Sequence, residues 1–423
     1  MDRTLLLVHA LLGAKLQDHL IDRALAGTSV VLVADASNVE SHAGQSAVVI
    51  TAQLLLEMGV QVQLALPDKV AIGQQPPLEG TYLRESLIAY GADVIPGSVA
   101  TVGAPHSSSI TVVFGDSDLP SGSVNGWRIA GSAMGATMSS LDSIAPRWRG
   151  DGVLGPGLAA VFCASEVFRR VVRALGSMVG MHPAIAEVLE SSEQASFEFP
   201  WSTPRGHLGL DLGHVDVVSG GAITTAMIHL LLRSQASGSL RVYEPQVFEK
   251  SNLNRYPLFR GRDVGTLKAI HLARWSTPML TISPEPKSFG PLTANCGTVA
   301  PTVVVGADDI GVRWFAQGLN PDLLVVGATA DFMILVSRHR QAEPCARCLH
   351  PVDDGIRANI PTVSFVSYLA GLAASWFLLS TAAGQAQPGQ AWAAWPLRVD
   401  LPTWQVPQSI TRDPGCRLCG KVG

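Results

Sequence analysis

The chain has 423 residues, 47% of them hydrophobic and 15% charged, with a formal net charge of -4. That length suits two or three domains with large buried cores, and the slight acidic excess excludes a general attraction for nucleic acid or an anionic membrane. The opening MDRTLLLVHALLGAKLQD lacks a basic start and a small-residue cleavage site, so it does not read as a signal peptide, and a cytoplasmic location is expected.

In chain order, the first half begins with an apolar strand, TSVVLVAD, from Thr28 to Asp35. A helix over Ala47 to Met58 follows, then the strands VQVQLALPD and SITVVFGDSD, a further strand over Trp127 to Ala133, and a helix over Gly155 to Leu175. Strand, helix, strand at this spacing predicts a doubly wound parallel sheet. Residues 176-204 mix Ser, Pro and Glu without a period and read as a connector. The second half repeats the pattern. HVDVVSGGAITTAMIHLLLRS reads as strand, glycine turn and helix, and SLRVYEP as the second strand. A helix over Arg262 to Trp275 is expected next, then the strands PMLTISPEP, TVVVGADD and PDLLVVGATA. After PDLLVVGATA the chain is expected to leave the nucleotide-type repeat, with FMILVSRH followed by the first CxxC, a long apolar helix and the terminal CxxC. The predicted architecture is α/β: two doubly wound Rossmann-like domains in tandem, 1-175 and 205-423, the second with a four-cysteine zinc site.

Val363 to Gly384 is uncharged over more than the 18 residues that flag a spanning helix, but Ser and Gly interrupt it and no basic residues flank it closely downstream. It reads as a buried core helix, and no membrane association is expected. Of six cysteines, four form two CxxC pairs, Cys345/Cys348 and Cys416/Cys419. Four thiolates are the ligand set of a closed tetrahedral zinc site with no open position, so the site reads as structural; two redox pairs are the rival. Cys163 and Cys296 stand alone and read as small buried hydrophobes.

Ser219 to Thr224, SGGAIT, opens a helix directly after a strand. Gly220 and Gly221 let a backbone approach phosphate there, although a tight turn without a ligand has the same pattern. Glu244 ends the second strand, where an acid accepts hydrogen bonds from a ribose. The stretch SNLNRYPLFRGRDVGTLKA follows, and Asn252, Asn254, Arg255, Arg260, Arg262 and Lys268 supply amides and cations suited to a triphosphate. A dehydrogenase would share the glycine turn and the acid but would not need that cluster. Asp308, with Arg313 five residues on, ends the fourth strand and suits Mg²⁺; Asp308 or Asp309 as a helix cap is the plain alternative.

The order glycine turn, acid, SNLNR, DVGTLK, Asp308…Arg313, CxxC and terminal CxxC resembles the ThiF/MoeB/ubiquitin-activating family of adenylyltransferases over about residues 205 to 423. The resemblance implies that the carboxylate of a ubiquitin-like or sulfur-carrier protein's C-terminal glycine attacks the α-phosphate of ATP, giving an acyl-adenylate and pyrophosphate. It implies that Glu244 binds ribose, that Asn252, Arg255 and Lys268 bind phosphate, that Asp308 serves Mg²⁺ and adenylation, and that Cys345, Cys348, Cys416 and Cys419 hold zinc. It makes the first half an inactive partner domain, since ASNVESHAGQ follows Asp35 and no lysine is placed like Lys268.

Two departures stand out. Ser219 and Thr224 occupy glycine places of the family's turn. The loop LHPVDDGIRANIPTVSFVSYLAG carries no cysteine to take the acyl group as a thioester. Direct transfer from the adenylate to a conjugating-enzyme-like acceptor is the reading, with an oxyester on Thr362, Ser364 or Ser367 and a scaffold without catalysis as alternatives. A sulfur-carrier or peptide adenylyltransferase is the other enzymatic reading. A homodimer is left open, because an internal pseudo-dimer removes the need for a second chain.

Overall fold

A computed structural model describes residues 3-13, 16-201, 206-290, 298-352, 362-385 and 389-419. Its first half holds helices α1 (Arg3–Leu12), α2 (Asp18–Ala26), α3 (His42–Glu57), α4 (Leu83–Gly91), α5 (Leu154–Val179) and α6 (Pro183–Val188). Its strands are β1 (Ser29–Val33), β2 (Gln61–Ala65), β3 (Ala100–Val102), β4 (Ile110–Phe114), β5 (Gly126–Gly131), β6 (Gly135–Ser140) and β7 (Ala195–Glu198). The second half contributes β8 (Asp211–Val218), α7 (Ala222–Arg233), β9 (Ser237–Tyr243), α8 (Lys268–Ala273), β10 (Leu280–Glu285) and β11 (Thr302–Val305). It continues with α9 (Ile310–Gly318), β12 (Leu323–Ala330), β13 (Met333–His339), α10 (Ala346–Leu349), α11 (Ser364–Ala382), β14 (Ala391–Ala394) and β15 (Gln405–Gln408).

Two mixed sheets stand in tandem, as two Rossmann-like domains require. The first runs β3-β2-β1-β4-β5-β6-β7 and the second β10-β9-β8-β11-β12-β13-β14-β15. Renumbered from its own first strand, the second sheet repeats the order of the first and adds one edge strand. In each, five parallel strands are followed by antiparallel ones. The strand order reverses beside β1 and beside β8, which opens a crevice at the carboxyl ends of each pair of central strands.

The core sits between the sheets. Every residue of α3 is buried, as are Ser364 through Ser380 of α11, so both read as near-continuous apolar runs with little amphipathic period. The apolar stretch flagged for length is thus an internal helix. Helices α3 and α5 pack together, α7 packs on α11, and α5 meets α11, giving one continuous core across both halves. Glycines permit the closest approaches. A Cβ on Gly371 would lie 2.5 Å from Ala226 Cβ and 2.7 Å from Ile223 O on α7. Gly371→Val is therefore expected to cost about 2 kcal/mol through overpacking, read as a lowered midpoint in a urea titration.

Several elements differ from the sequence expectation. The helix expected over Arg262 to Trp275 is only α8, because Gly265 adopts φ +90 and Leu267 pairs with Val247 in an isolated bridge, which hold the DVG stretch as a turn. Helix α3 starts five residues before Ala47, where Ser41 Oγ accepts the Gly44 N–H at 3.1 Å as its cap. The stretch read as a connector carries α6 and β7, and β7 pairs with β6 as the edge of the first sheet. The parallel repeat ends after β12, as expected, but β13, β14 and β15 then extend the second sheet by antiparallel pairing, which the sequence pattern did not indicate.

Candidate active site

The glycine turn follows β8 at the point of strand reversal. Ser219 takes φ +89, a left-handed conformation that suits the glycine of related turns and strains a serine. Side chains secure it: Ser219 Oγ accepts the Gly221 N–H at 3.0 Å, and Thr224 Oγ1 donates to Ser219 O at 2.7 Å. The two departures from a glycine pattern are thus partners across one turn. Helix α7 starts at Gly221 without a side-chain cap, so its first amides and its dipole face the crevice.

Glu244, one residue beyond β9, accepts the N–H of Gly220 and of Gln246, both at 2.9 Å. Space is tight here, since a Cβ on Gly220 would lie 3.1 Å from Glu244 Cγ and 3.3 Å from Lys268 Cβ. Lys268 opens α8 and is buried, and its Nζ donates to Gln246 Oε1 at 3.0 Å and sits 5.3 Å from the Tyr256 ring centre. The SNLNR segment begins as a short 3₁₀ turn, Lys250–Asn252, in which Asn252 Oδ1 accepts the Glu249 N–H at 3.1 Å. Buried Arg255 donates to Ser251 O and to Asn254 Oδ1.

These groups line one pocket of ≈ 1210 Å³ that also takes in Ser219, Gly221, Asp308 and Asp309. The candidate residues Gly221, Glu244, Asn252, Arg255, Lys268 and Asp308 therefore meet in one crevice, with Gly220 bonded to Glu244 at its edge. Asp308 is exposed to the pocket, whereas Asp309 Oδ1 caps α9 by accepting the Val312 N–H at 3.1 Å. Of the two adjacent acids, Asp309 is the one taken up as the cap. Arg313 turns away from the ligand space and donates to Ala307 O through Nε and Nη2, holding the loop that carries Asp308. Tyr243 and Phe289, packed edge to face at 5.1 Å, give the pocket an apolar wall.

Not all the cations of the SNLNRYPLFRGRDVGTLKA stretch reach this space. Arg260 donates to Pro77 O, and Arg262 pairs with Glu79 at 2.6 Å and Asp93 at 3.6 Å, so both clasp the first half. Asn254 Nδ2 donates to Thr4 Oγ1 at 2.8 Å on α1. Through α1 the first half also lends the pocket Arg3 and Leu6. Nothing in local sequence set Arg3 apart, because its role depends on a contact between segments about 250 residues apart. Thr362 and Ser367 line the pocket with their hydroxyls 3.1 Å apart, but Ser364 Oγ donates to Leu54 O and lies outside it.

The matching place in the first half is filled. Asp35 accepts Ser37 Oγ, Asn38 N and Asn38 Nδ2, and Asn38 Nδ2 reaches Asp116 at 2.8 Å. Asn38 Oδ1 accepts the Trp148 N–H at 3.1 Å, and a Cβ on Gly115 would collide with that same oxygen. A polar network centred on buried Asn38 therefore fills the turn after β1.

The four cysteines of the CxxC pairs converge, with all Sγ atoms within 4.8 Å of one another and Cys345–Cys416 and Cys348–Cys419 at 3.4 Å. A tetrahedral Zn²⁺ with Zn–S of about 2.3 Å needs sulfurs roughly 3.8 Å apart, so the cluster fits zinc. Cys163 is buried on α5, where burial and the nearby Glu166 push its thiol well up, and it cannot serve as a nucleophile. Cys296 lies outside the described residues.

No known family profile matches the chain. The uncharacterized protein y4jF of Sinorhizobium fredii is 28% identical over 202 residues, which are 46% of this chain and 38% of that protein. The match thus spans well under two thirds of that relative's length. Among solved structures, E. coli MccB with ATP is similar at 17% identity and a TM-score of 0.43, covering 49% of this chain and 66% of its own. MccB in complex with N-formylated MccA matches at 17% identity and a TM-score of 0.42, covering 49% and 67%.

Proposed function

We propose that the chain is an ATP-dependent adenylyltransferase that activates the C-terminal carboxylate of a polypeptide, the glycine of a ubiquitin-like protein above all. The observation that carries this reading is the convergence of Glu244, Asn252, Arg255, Lys268 and Asp308 on one pocket at the strand reversal of the second sheet. An acid at the end of β9 suits ribose, and buried cations beside the start of α7 suit a triphosphate. The substrate carboxylate attacks the α-phosphorus, the bond to the β-phosphate oxygen breaks, and pyrophosphate leaves. The acyl-adenylate then passes its acyl group to an acceptor and releases AMP. Asp308, the pocket acid not used in capping, would hold Mg²⁺ jointly with phosphate oxygens, and the ion would neutralise charge on the leaving pyrophosphate. Lys268 and Arg255 supply fixed positive charge for the same change.

The first half serves as an inactive partner domain. The bonds that fill its turn after β1 support that reading, and it contributes Arg3, Leu6 and the support of Asn254 to the second site. Since no cysteine among the described residues faces the pocket, direct transfer to a conjugating-enzyme-like acceptor is favoured over a thioester on this chain. A sulfur carrier or a peptide with a free carboxylate would suit the same chemistry. One observation favours a scaffold without catalysis: Glu244 and Ser219 already occupy the N–H groups of Gly220 and Gly221. ATP–pyrophosphate exchange separates the two. Exchange that requires both a polypeptide with a free C-terminus and Asp308, and that Asp308→Ala removes, is the expected result. A zinc-loaded, folded chain that never exchanges with its cognate substrate would support the scaffold.

A further inference from the structure

We infer that Glu57, which belongs to the first half, is a positioning residue for the phosphate clamp of the second. Uncharged, it leaves the Arg255 guanidinium its full attraction for a triphosphate; ionised, it competes with the phosphates for that charge. The inference rests on the adenylation reading above.

Glu57 ends α3 and is 1% exposed. Gln53, one turn earlier, donates through Nε2 to Glu57 Oε1 at 3.1 Å and to Pro257 O at 2.7 Å. That shared amide ties the carboxyl to the clamp segment two residues past Arg255. The carboxyl also meets the hydroxyl of Tyr90 on α4, and in so buried a place its ionised form is costly. Two further groups act on the carboxyl by charge, Arg255 of the clamp and Tyr368 of α11, and Arg260 lies 5.6 Å over the Tyr90 ring.

Burial is the main influence on Glu57 and raises it from 4.5 to about 8, against the opposing pull of Gln53, Tyr90 and Arg255. Both tyrosines are pushed up by burial and stay neutral through the same range. The acid is therefore protonated at neutral pH and ionises just above it. Because the folded value exceeds the unfolded one, the protonated carboxyl's contribution to stability is complete below pH 4.5 and lost as pH rises through about 8.

The test is the affinity for ATP, by calorimetry, of the full chain and of Glu57→Gln from pH 7 to 9.5. In the parent, affinity is expected to fall by about tenfold across pH 8, the size of one added like charge acting over roughly 10 Å at an intermediate dielectric. In Glu57→Gln that fall is absent, so ATP binds about tenfold more tightly than to the parent at pH 9.5. Adenosine, which has no phosphate, should show no such difference. A second readout needs no variant: titration in buffers of different ionisation enthalpy should show the parent taking up a proton when ATP binds near pH 8. Parallel pH profiles without proton uptake would overturn the role of Glu57 and leave adenylation standing. Absence of ATP binding to the parent at every pH would overturn both.

Discussion

Cys416→Ser, or removal of zinc by a chelator, is expected to lower the stability of the chain by several kcal/mol, the scale on which structural zinc sites contribute to folding. The cluster joins the loop before α10 to the end of the described chain, and Cys345, Cys416 and Cys419 are each less than a tenth exposed. Its effect reaches the candidate pocket by a short route. The Ala346 N–H donates to Gln317 Oε1 at 3.0 Å, and Trp314 Nε1 donates to His350 O at 2.9 Å, so the cysteine loop fastens the face of α9. That helix starts at Asp309, next to Asp308. Loss of the metal is therefore expected to weaken ATP binding as well as to lower the thermal midpoint. Metal content by mass spectrometry, differential scanning fluorimetry and nucleotide titration on one sample would decide it. Stoichiometric zinc whose removal leaves both midpoint and affinity unchanged would refute the buttressing role, and a sample without zinc would refute the site.

The two sheets were legible because their central strands are short apolar runs bounded by turn residues. TSVVLVAD and TVVVGADD announce themselves by composition alone. Of the strands that escaped notice, β3, β7, β14 and β15 are three or four residues each and lie at or near sheet edges, where a strand shows little periodicity, while the longer β6 and β13 are the first antiparallel strands after each parallel set, outside the strand-helix-strand spacing that was read. The site was legible to the extent that it is local. The glycine turn, Glu244, the SNLNR segment and Lys268 lie within 50 residues of one another and enter the pocket on consecutive elements. Chemistry alone did not tell Arg255 and Lys268, which line the pocket, from Arg260 and Arg262, which hold the first half. That division depends on which side of the segment faces Pro77 and Glu79. Arg3 and Glu57 were out of reach for the same reason, since the packing of one half on the other gives them their roles.

Lys268→Met is expected to reduce ATP–pyrophosphate exchange by 10²- to 10³-fold while leaving the unfolding free energy within about 1 kcal/mol of the parent. The two halves of that expectation follow from one observation. Lys268 is 3% exposed, yet its Nζ takes the neutral Gln246 Oε1 as its hydrogen-bond partner and no ion pair is formed by it among the described residues. A buried cation held by a neutral amide and an aromatic ring is costly to the fold, so replacing it with an apolar chain of similar length removes a desolvation penalty as well as one hydrogen bond. Such a group persists where a ligand supplies the missing anion, and its worth appears in binding and turnover. Arg255 makes a useful contrast. It donates to Ser251 O and Asn254 Oδ1, so Arg255→Met would lose exchange and stability together. If Lys268→Met exchanged at the parent rate, the phosphate clamp would be misassigned. If it unfolded the chain, Lys268 would be a structural residue, and the electrostatic argument for adenylation would rest on Arg255 and Asp308 alone.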